Sequence, residues 1–133
     1  MARRKGDKTL TRVEMEIMGI LWDHGKDGMT THEIIEHYPE PKPAYSTIAT
    51  FMRILTEKGF VGFDKVVESG ARTYIFHALM TRQEYTSQFM KEVKESFFEG
   101  SIKKLLSFFV EEEELSPEAL EQILIVMEKE AKK

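Results

Sequence analysis

The sequence contains no cysteine, and this absence excludes several classes of protein at once. Without thiols the chain can form no disulfide, no thiolate metal site and no cysteine nucleophile. It also has no apolar run near the roughly 20 residues that a membrane-spanning helix needs, and no signal-peptide pattern. A hydrophobic content of 41% and a charged content of 32% instead describe a globular chain. We therefore expect a cytoplasmic protein without membrane insertion.

The residue patterns of common enzyme and metal sites are also missing from the sequence. There is no glycine-rich phosphate loop, no nucleophile elbow and no isolated pair of carboxylates. His32 and His37 lie five positions apart, so on a helix their rings diverge instead of sharing one face at a spacing of four. The acidic run at 111–114 lacks the alternating oxygen ligands and turn glycine of a calcium loop. We predict no enzyme, no metal site and no cofactor.

The net charge of −4 is distributed unevenly along the chain. Residues 1–80 hold 11 Lys and Arg against 11 Asp and Glu, whereas residues 81–133 hold 8 against 12. The first twelve residues carry a net charge of +4. Residues 1–9 therefore form a basic arm, which either follows a phosphate backbone or minor groove or is an ordinary exposed terminus.

Capping signals and hydrophobic periodicity predict three helices in the first part of the chain. Thr11 with Glu14 and Thr30 with Glu33 form capping boxes that open helices 1 and 2, the second extending to about residue 38. Prolines at 39, 41 and 43 prevent helix continuation, so a third helix begins after them. That helix ends at 58–59, a lysine followed by a glycine.

After helix 3 the hydrophobic period changes from about 3.6 to 2, which is typical of strands. Residues 60–67 and 72–77 are predicted to form two strands joined by a turn at 68–71. Three helices and a hairpin in this order predict a winged helix-turn-helix domain at 10–79, a mainly α fold with a small β-hairpin. Lys65 and Arg72 would be the phosphate-binding cations of the wing.

Helix 3 occupies the recognition position of such a domain. Ile48, Met52 and Leu55 line one face, and the other face is polar. Hydroxyl groups bond phosphates and base edges, and a guanidinium can bind guanine in a bidentate manner. A polar outer face is also common on ordinary surface helices. The candidate DNA-binding residues of this helix are Tyr45, Ser46, Thr47, Thr50 and Arg53.

The remaining residues, 80–133, are predicted to form a helical dimerisation region. A third capping box at Thr81 and Glu84 opens a helix that could continue to Gly100. This region carries many large apolar groups and no second sheet, so a second copy of the chain would cover them, or they pack back on the winged helix of their own chain. The candidate dimerisation residues are Tyr85, Phe89, Val93, Phe97, Leu105, Leu106, Phe109, Leu120, Ile123 and Leu124.

These motifs, taken in order, resemble the BlaI/MecI/CopY family of bacterial repressors, the penicillinase repressors. The resemblance begins at Leu10 and covers nearly all of the chain after it. It is carried by Leu10, Thr11, Glu14, Met18, Leu21 and Trp22 in the first helix, by residues 44–48, Thr50, Leu55, Lys58 and Gly59 in the third, and by Tyr74 and residues 81–85 and 106–116 beyond it.

The resemblance implies a homodimeric transcriptional repressor that binds a palindromic operator in double-stranded DNA. It also implies release by proteolysis, in which a membrane sensor peptidase cuts the dimerisation region. The family's repressors of β-lactam resistance are cut at an Asn-Phe bond, and the matching pair here is Phe108-Phe109. The copper-responsive branch has C-terminal cysteines that this chain lacks, so copper sensing is not expected. The family's usual arginine lies one position after Arg53, where this chain has Ile54.

Two other functions stay open at this point. A winged helix can bind a protein instead of DNA, and the near-neutral first 80 residues are compatible with that function. Steep salt dependence of DNA affinity would argue against it. The chain could also be a regulator with an effector pocket between the wing and the dimerisation helices, which a thermal shift with candidate effectors would detect.

Overall fold

The computed structural model describes residues 9–112 and 116–131 of the 133-residue chain. Within these residues three short helices precede a two-stranded antiparallel hairpin and three further helices follow it, which confirms the predicted winged helix-turn-helix fold. Residues 1–8 of the predicted basic arm lie outside the described residues. The elements are α1 (Arg12–His24), α2 (Thr31–Glu36), α3 (Tyr45–Lys58), β1 (Val61–Glu68), β2 (Ala71–Ala78), α4 (Arg82–Phe97), α5 (Ile102–Glu112) and α6 (Pro117–Ala131).

Hydrogen bonds at the helix starts follow the predicted capping boxes. The backbone N–H of Thr30 donates to Glu33 Oε1 at 2.9 Å, and the N–H of Glu33 donates to Thr30 Oγ1 at 3.2 Å. The same reciprocal pair joins Thr81 and Glu84 at 2.8 and 3.0 Å. Each pair satisfies two N–H groups that the first helical turn would otherwise leave without partners.

Two helices end earlier than predicted. The α2 helix stops at Glu36 instead of residue 38, because the chain tightens into a three-residue turn before Pro39, with the His37 N–H donating to Ile34 O at 3.1 Å. The α4 helix stops at Phe97 instead of Gly100. Backbone φ is +53° at Glu99 and +76° at Gly100, and neither value can continue a right-handed helix.

Strand β1 begins and ends one residue later than predicted, whereas β2 extends one residue further than predicted at both ends. The loop before α2 also pairs with β2. Met29 exchanges two backbone hydrogen bonds with Phe76, at 2.9 and 2.8 Å, so the loop before α2 is fixed to β2. Gly28 allows this because its φ is +89°. A Cβ added there would lie 2.5 Å from Ile75 Cγ2, so a larger residue would disturb the junction of loop and hairpin.

The described residues form two compact units, one up to Thr86 and one from Ser87 onward, with the division inside α4. The first unit has a contiguous apolar core in which Ile17, Ile34 and Leu55 have no solvent exposure. Tyr85, on the first turn of α4, belongs to that core at 5% exposure. No helix in the described ranges is both long enough and apolar enough to cross a membrane.

Candidate nucleic-acid interface

Helix α3 is held at both ends by local sequence. Ala44 is its N-cap and has no side-chain acceptor, and the first α3 N–H with a helical partner is that of Thr47, at 3.1 Å from Ala44 O. At the other end Gly59 adopts φ +87°, and the N–H groups of Gly59 and Phe60 bond Thr56 O and Leu55 O at 3.1 and 3.0 Å. This is a Schellman motif, which stops the helix at Lys58.

A buried ion pair fixes the C-terminal end of α3 against α1. Lys58 Nζ lies 2.8 Å from Glu14 Oε1, and the two side chains are 19% and 3% exposed. The same carboxylate oxygen accepts the Thr11 N–H at 2.8 Å, and Lys58 Nζ also donates to Thr9 O at 3.3 Å. The helix that carries the candidate base-reading residues is therefore tied to the start of the domain.

The electrostatics of this pair favour its charged form. Burial alone would raise the pKa of the Glu14 carboxyl, but hydrogen bonds from Lys58 and Thr11, with the nearby positive charge of Lys58, outweigh burial and hold its pKa below the ordinary value. The depressed pKa means that the carboxylate is stabilised in the folded state at neutral pH.

The predicted polar residues of α3 are all on its exposed surface. Ser46, Thr47, Thr50 and Arg53 are exposed, and Tyr45 is 51% exposed. Thr50 Oγ1 donates to Ser46 O at 2.9 Å, so this hydroxyl group uses its proton within the helix and presents its oxygen as an acceptor. The outer face therefore offers the hydroxyl groups that phosphate and base-edge recognition needs.

Arg53 has a carboxylate neighbour on the same face. Its Nη1 lies 3.1 Å from Glu57 Oε1, one helical turn further on, with the two side chains 64% and 65% exposed. An exposed pair of this kind contributes little to stability. The ion pair does limit the orientations of the Arg53 guanidinium. Any ligand that binds this guanidinium must therefore compete with the Glu57 carboxylate.

The hairpin register places the two predicted wing cations on one face. Lys65 is opposite Tyr74, and Val67 is opposite Arg72. Since every second residue of a strand points to the same side, these two pairs share a face of the sheet with the Phe63–Phe76 pair. Lys65 and Arg72 are both exposed. Phe63, on the same face, is 49% exposed and packs edge-on against Tyr74 with ring centroids 5.3 Å apart.

A cleft of about 690 Å³ lies between α2 and α3 on one side and the hairpin on the other. Three of the predicted DNA-binding residues, Tyr45, Arg53 and Arg72, line this cleft together. The predicted residues Ser46, Thr47, Thr50 and Lys65 are exposed but are not part of its lining. We refer to this space below as the wing cleft.

Sequence reasoning missed several residues of the wing cleft. The ring of His32 packs at a tilt against that of Tyr45 with centroids 4.7 Å apart, and Phe63, Tyr74 and Glu57 complete much of the lining. The alternation of Phe63 with Lys65 would have placed Phe63 on the cation-bearing face. Nothing local in the sequence brings His32 to Tyr45, because that contact depends on how α2 packs on α3.

The histidines do not form a metal site in the part of the chain that the structure describes. His24 and His37 stack at 4.0 Å between ring centroids, but no group of three or more potential ligands occurs among the described residues. His77 Nε2 lies 2.9 Å from Asp64 Oδ2 across the hairpin. His32 packs against Tyr45, so each of the four histidines contacts a ring or a carboxylate within the protein.

The predicted dimerisation residues occupy different environments. Tyr85 is buried in the first unit, where its ring lies 6.2 Å from that of Trp22 and its hydroxyl oxygen accepts the Leu10 N–H at 2.9 Å. In the second unit Leu105 is 6% exposed, whereas Phe97 is 76% exposed. The side chain of Leu120 is not among those that the structure describes. The other candidate dimerisation residues range from half-buried to exposed, namely Phe89, Val93, Leu106, Phe109, Ile123 and Leu124.

The candidate cleavage pair lies inside α5. Phe108 is 44% exposed and Phe109 is 36% exposed, and their rings contact each other edge-on at 5.4 Å between centroids. Phe108 also contacts Phe98 at 5.8 Å. The peptide bond between the two phenylalanines is therefore part of a hydrogen-bonded helix.

The profile of the penicillinase repressor family matches residues 10–129, which include the whole winged helix and nearly all of the second unit. A search of curated proteins found no significant match. The chain therefore belongs to the penicillinase repressor family, whose members are winged-helix, DNA-binding transcriptional repressors.

Proposed function

We propose that this protein is a homodimeric repressor that places α3 in the major groove of a palindromic operator and the hairpin on the flanking backbone. The observation that carries the proposal is the joint exposure of the polar face of α3 and the two wing cations on the winged-helix unit. Base contacts would come from Arg53 and the hydroxyl residues Ser46, Thr47 and Thr50, and phosphate contacts from Lys65 and Arg72.

The start of α3 supports phosphate binding as well. The N–H groups of Tyr45 and Ser46 precede the first N–H that has a helical partner, and Ala44 provides no side chain to cap them. Free N–H groups at a helix start attract anions, because they act with the positive end of the helix dipole. A backbone phosphate beside Tyr45 would supply the missing acceptor.

Exposed apolar side chains of the second unit support the dimer. Phe97, Ile125 and Val126 are 76%, 52% and 58% exposed. Large exposed apolar patches commonly mark protein interfaces. A second copy of the chain supplies matching surface by symmetry, and a symmetric dimer fits a palindromic site because each winged helix binds one half-site.

Release by proteolysis is the remaining part of the proposal. A cut at Phe108–Phe109 would divide α5, remove the dimer contacts beyond it and lower operator occupancy, since two linked half-sites bind far more tightly than two separate ones. The bond is helical in this structure, so a membrane sensor peptidase would act on a locally opened α5. Mass spectrometry of the protein after incubation with such a peptidase tests this assignment directly.

The decisive experiment is fluorescence anisotropy of the full chain on DNA from upstream of its own gene, with a scrambled duplex as control. We expect tight, sequence-selective binding by two chains per site, with affinity that falls steeply as salt rises. Equal and weak binding to both duplexes would contradict the proposal.

Arg53→Ala tests the base contact within the same assay. We expect a loss of about 1–3 kcal/mol in operator binding, because a bidentate contact with guanine is removed. Lys91→Ala is the matched control, since Lys91 is an exposed cation on α4 outside the winged-helix unit. Similar losses in both variants would show that only net charge matters.

A further inference from the structure

The wing cleft has the dimensions and lining of a small-molecule site. Its volume of about 690 Å³ falls within the range of about 300–1,000 Å³ that is typical of ligand pockets. All of its lining residues belong to the first unit. Its floor includes Thr31 and Phe76, which are 7% and 9% exposed, so the cleft reaches down to the domain core.

Aromatic rings form two opposite walls of the wing cleft. On the helical side Tyr45 packs at a tilt against His32, with 4.7 Å between ring centroids. On the hairpin side Phe63 packs against Tyr74 at 5.3 Å and Phe76 at 6.1 Å. Each wall is therefore supported by ring contacts within the protein.

Two of these rings are about half-exposed. Tyr45 and Phe63 are 51% and 49% exposed, although the neighbouring apolar residues Ile48 and Phe60 are 1% and 2% exposed. DNA backbone recognition needs cations, hydroxyl groups and N–H groups, which the outer face of α3 already supplies. Two aromatic walls facing a cleft instead favour a flat, apolar occupant that stacks on them.

The charges in the wing cleft determine which kind of aromatic molecule fits. Arg53 and Glu57 form an ion pair at 3.1 Å, so together they add no net charge. Arg72 is the remaining arginine of the lining, and it lies at the hairpin side of the cleft. A guanidinium binds a carboxylate in a charge-assisted, planar geometry. A singly charged aromatic acid therefore complements both the walls and the cation.

We propose that the wing cleft binds a planar aromatic carboxylate, with its ring between the two aromatic walls and its carboxylate on Arg72. Tyr45, Arg53 and Arg72 are also the residues assigned above to the operator, so the bound acid and the DNA exclude each other. The proposed binding site does not depend on the repressor function. The proposed role of the acid as an inducer, which releases the protein from DNA, does rest on that function.

The first test is calorimetric titration of the full-length protein with 2-naphthoate in the absence of DNA. We expect saturable binding, with 2-naphthalenemethanol, which lacks the charge, binding at least tenfold more weakly, and acetate, which lacks the ring, not binding detectably. Arg72→Gln should weaken 2-naphthoate at least tenfold and leave 2-naphthalenemethanol unchanged. Lys91→Gln, which removes a cation outside the first unit, should change neither.

The second test adds the acid to the anisotropy assay on upstream DNA. Because both wing clefts of a dimer must be free for operator binding, mutual exclusion predicts that 2-naphthoate at ten times its dissociation constant lowers the apparent operator affinity about elevenfold per cleft, or roughly 120-fold for the dimer. No saturable titration, or equal binding by Arg72→Gln, would overturn the site. Binding by calorimetry without any change in operator affinity would overturn the inducer role. A chain that binds 2-naphthoate but no DNA would overturn the repressor function and leave the site standing.

Discussion

The two units of this protein differ in how fully they bury their large apolar side chains. In the first unit the core is complete within one chain, and large side chains such as Phe60 and Met52 are 2% and 1% exposed. Among the described residues of the second unit, Leu105 is the one buried residue, and Phe97 is 76% exposed. A unit that leaves such side chains in water is incomplete by itself, which is the reason to expect a partner surface there.

The ion pairs of the two units differ in the same way. Glu14 and Lys58 are buried and connect residues 44 positions apart in the first unit. Glu99 and Lys104 in the second unit are neighbours in sequence, with side chains 76% and 59% exposed. The first pair fixes tertiary structure, whereas the second lies on a local, solvated turn.

Breaking the buried pair should have the largest effect. Lys58→Met leaves the Glu14 carboxylate 3% exposed without its cation, and removal of one partner from a buried pair costs about 3–5 kcal/mol. Urea unfolding followed by Trp22 fluorescence measures this, because the single tryptophan lies in the first unit. Lys104→Met is the control and should leave the midpoint almost unchanged. Equal effects would remove the contrast between the two pairs.

The same pair gives stability a defined pH dependence. The pKa of Glu14 is below its ordinary value of 4.5 in the folded protein, so its contribution is complete above that pH and is lost as the pH falls through the folded pKa. The stability difference between wild type and Glu14→Gln should therefore shrink below about pH 4.5. A difference that stays constant down to strongly acidic pH would show that the carboxylate charge is irrelevant.

Truncation of a core residue should have the next largest effect. Leu55→Ala removes a side chain with 0% exposure, and such changes cost about 2–5 kcal/mol through lost burial and the cavity left behind. The Trp22 unfolding midpoint should fall by the same amount at every protein concentration, since this core is complete in one chain. Leu79→Ala, at 63% exposure, is the control and should change stability by no more than about 0.5 kcal/mol.

Phe97→Ser should act on association instead of on the first unit. If Phe97 is buried between two copies, its loss should weaken the dimer by about 2 kcal/mol, or roughly 30-fold in the dissociation constant. Sedimentation equilibrium measures the change, and Trp22 unfolding should show little difference. Glu92→Ser, an exposed polar change on the same helix, is the control. An unchanged dissociation constant would show that Phe97 lies outside the interface.

Loss of a helix cap should have the smallest effect and should differ between the units. Thr30→Ala removes the acceptor of the Glu33 N–H at 3.2 Å and should cost about 1 kcal/mol in Trp22 unfolding. Ser116→Ala removes the acceptor of the Ala119 N–H at 3.1 Å at the start of α6. That change should appear in the dimer dissociation constant instead. The reverse result would mean that the two units are not stabilised separately.

Much of the fold was predictable because its signals are local. Threonine and glutamate three positions apart satisfy the orphan N–H groups of a helix start, whatever the rest of the chain does. The αL glycine at Gly59 and the period-2 pattern after it similarly determine where α3 ends and β1 begins. These signals act over a few residues, so the sequence predicted most elements to within one or two positions.

The site was predictable in part. The exposed positions of Ser46, Thr47 and Arg53 follow from the helical period and agree with the structure. The wing cleft could not be foreseen, since it needs α2, α3 and the hairpin to meet. Tyr85 shows the same limit, because the sequence placed it among the candidate dimerisation residues, whereas its ring is buried in the core of the first unit.

The sequence by itself determined the order of helices and strands, their caps and the polar face of α3, because hydrogen bonds within one turn and side-chain periodicity depend on adjacent residues alone. Tertiary structure alone decided the pairing of Glu14 with Lys58, the joining of Met29 to Phe76 and the aromatic walls of the wing cleft. Those contacts join residues far apart in the chain, and packing of the core selects them only once all of the elements are in place.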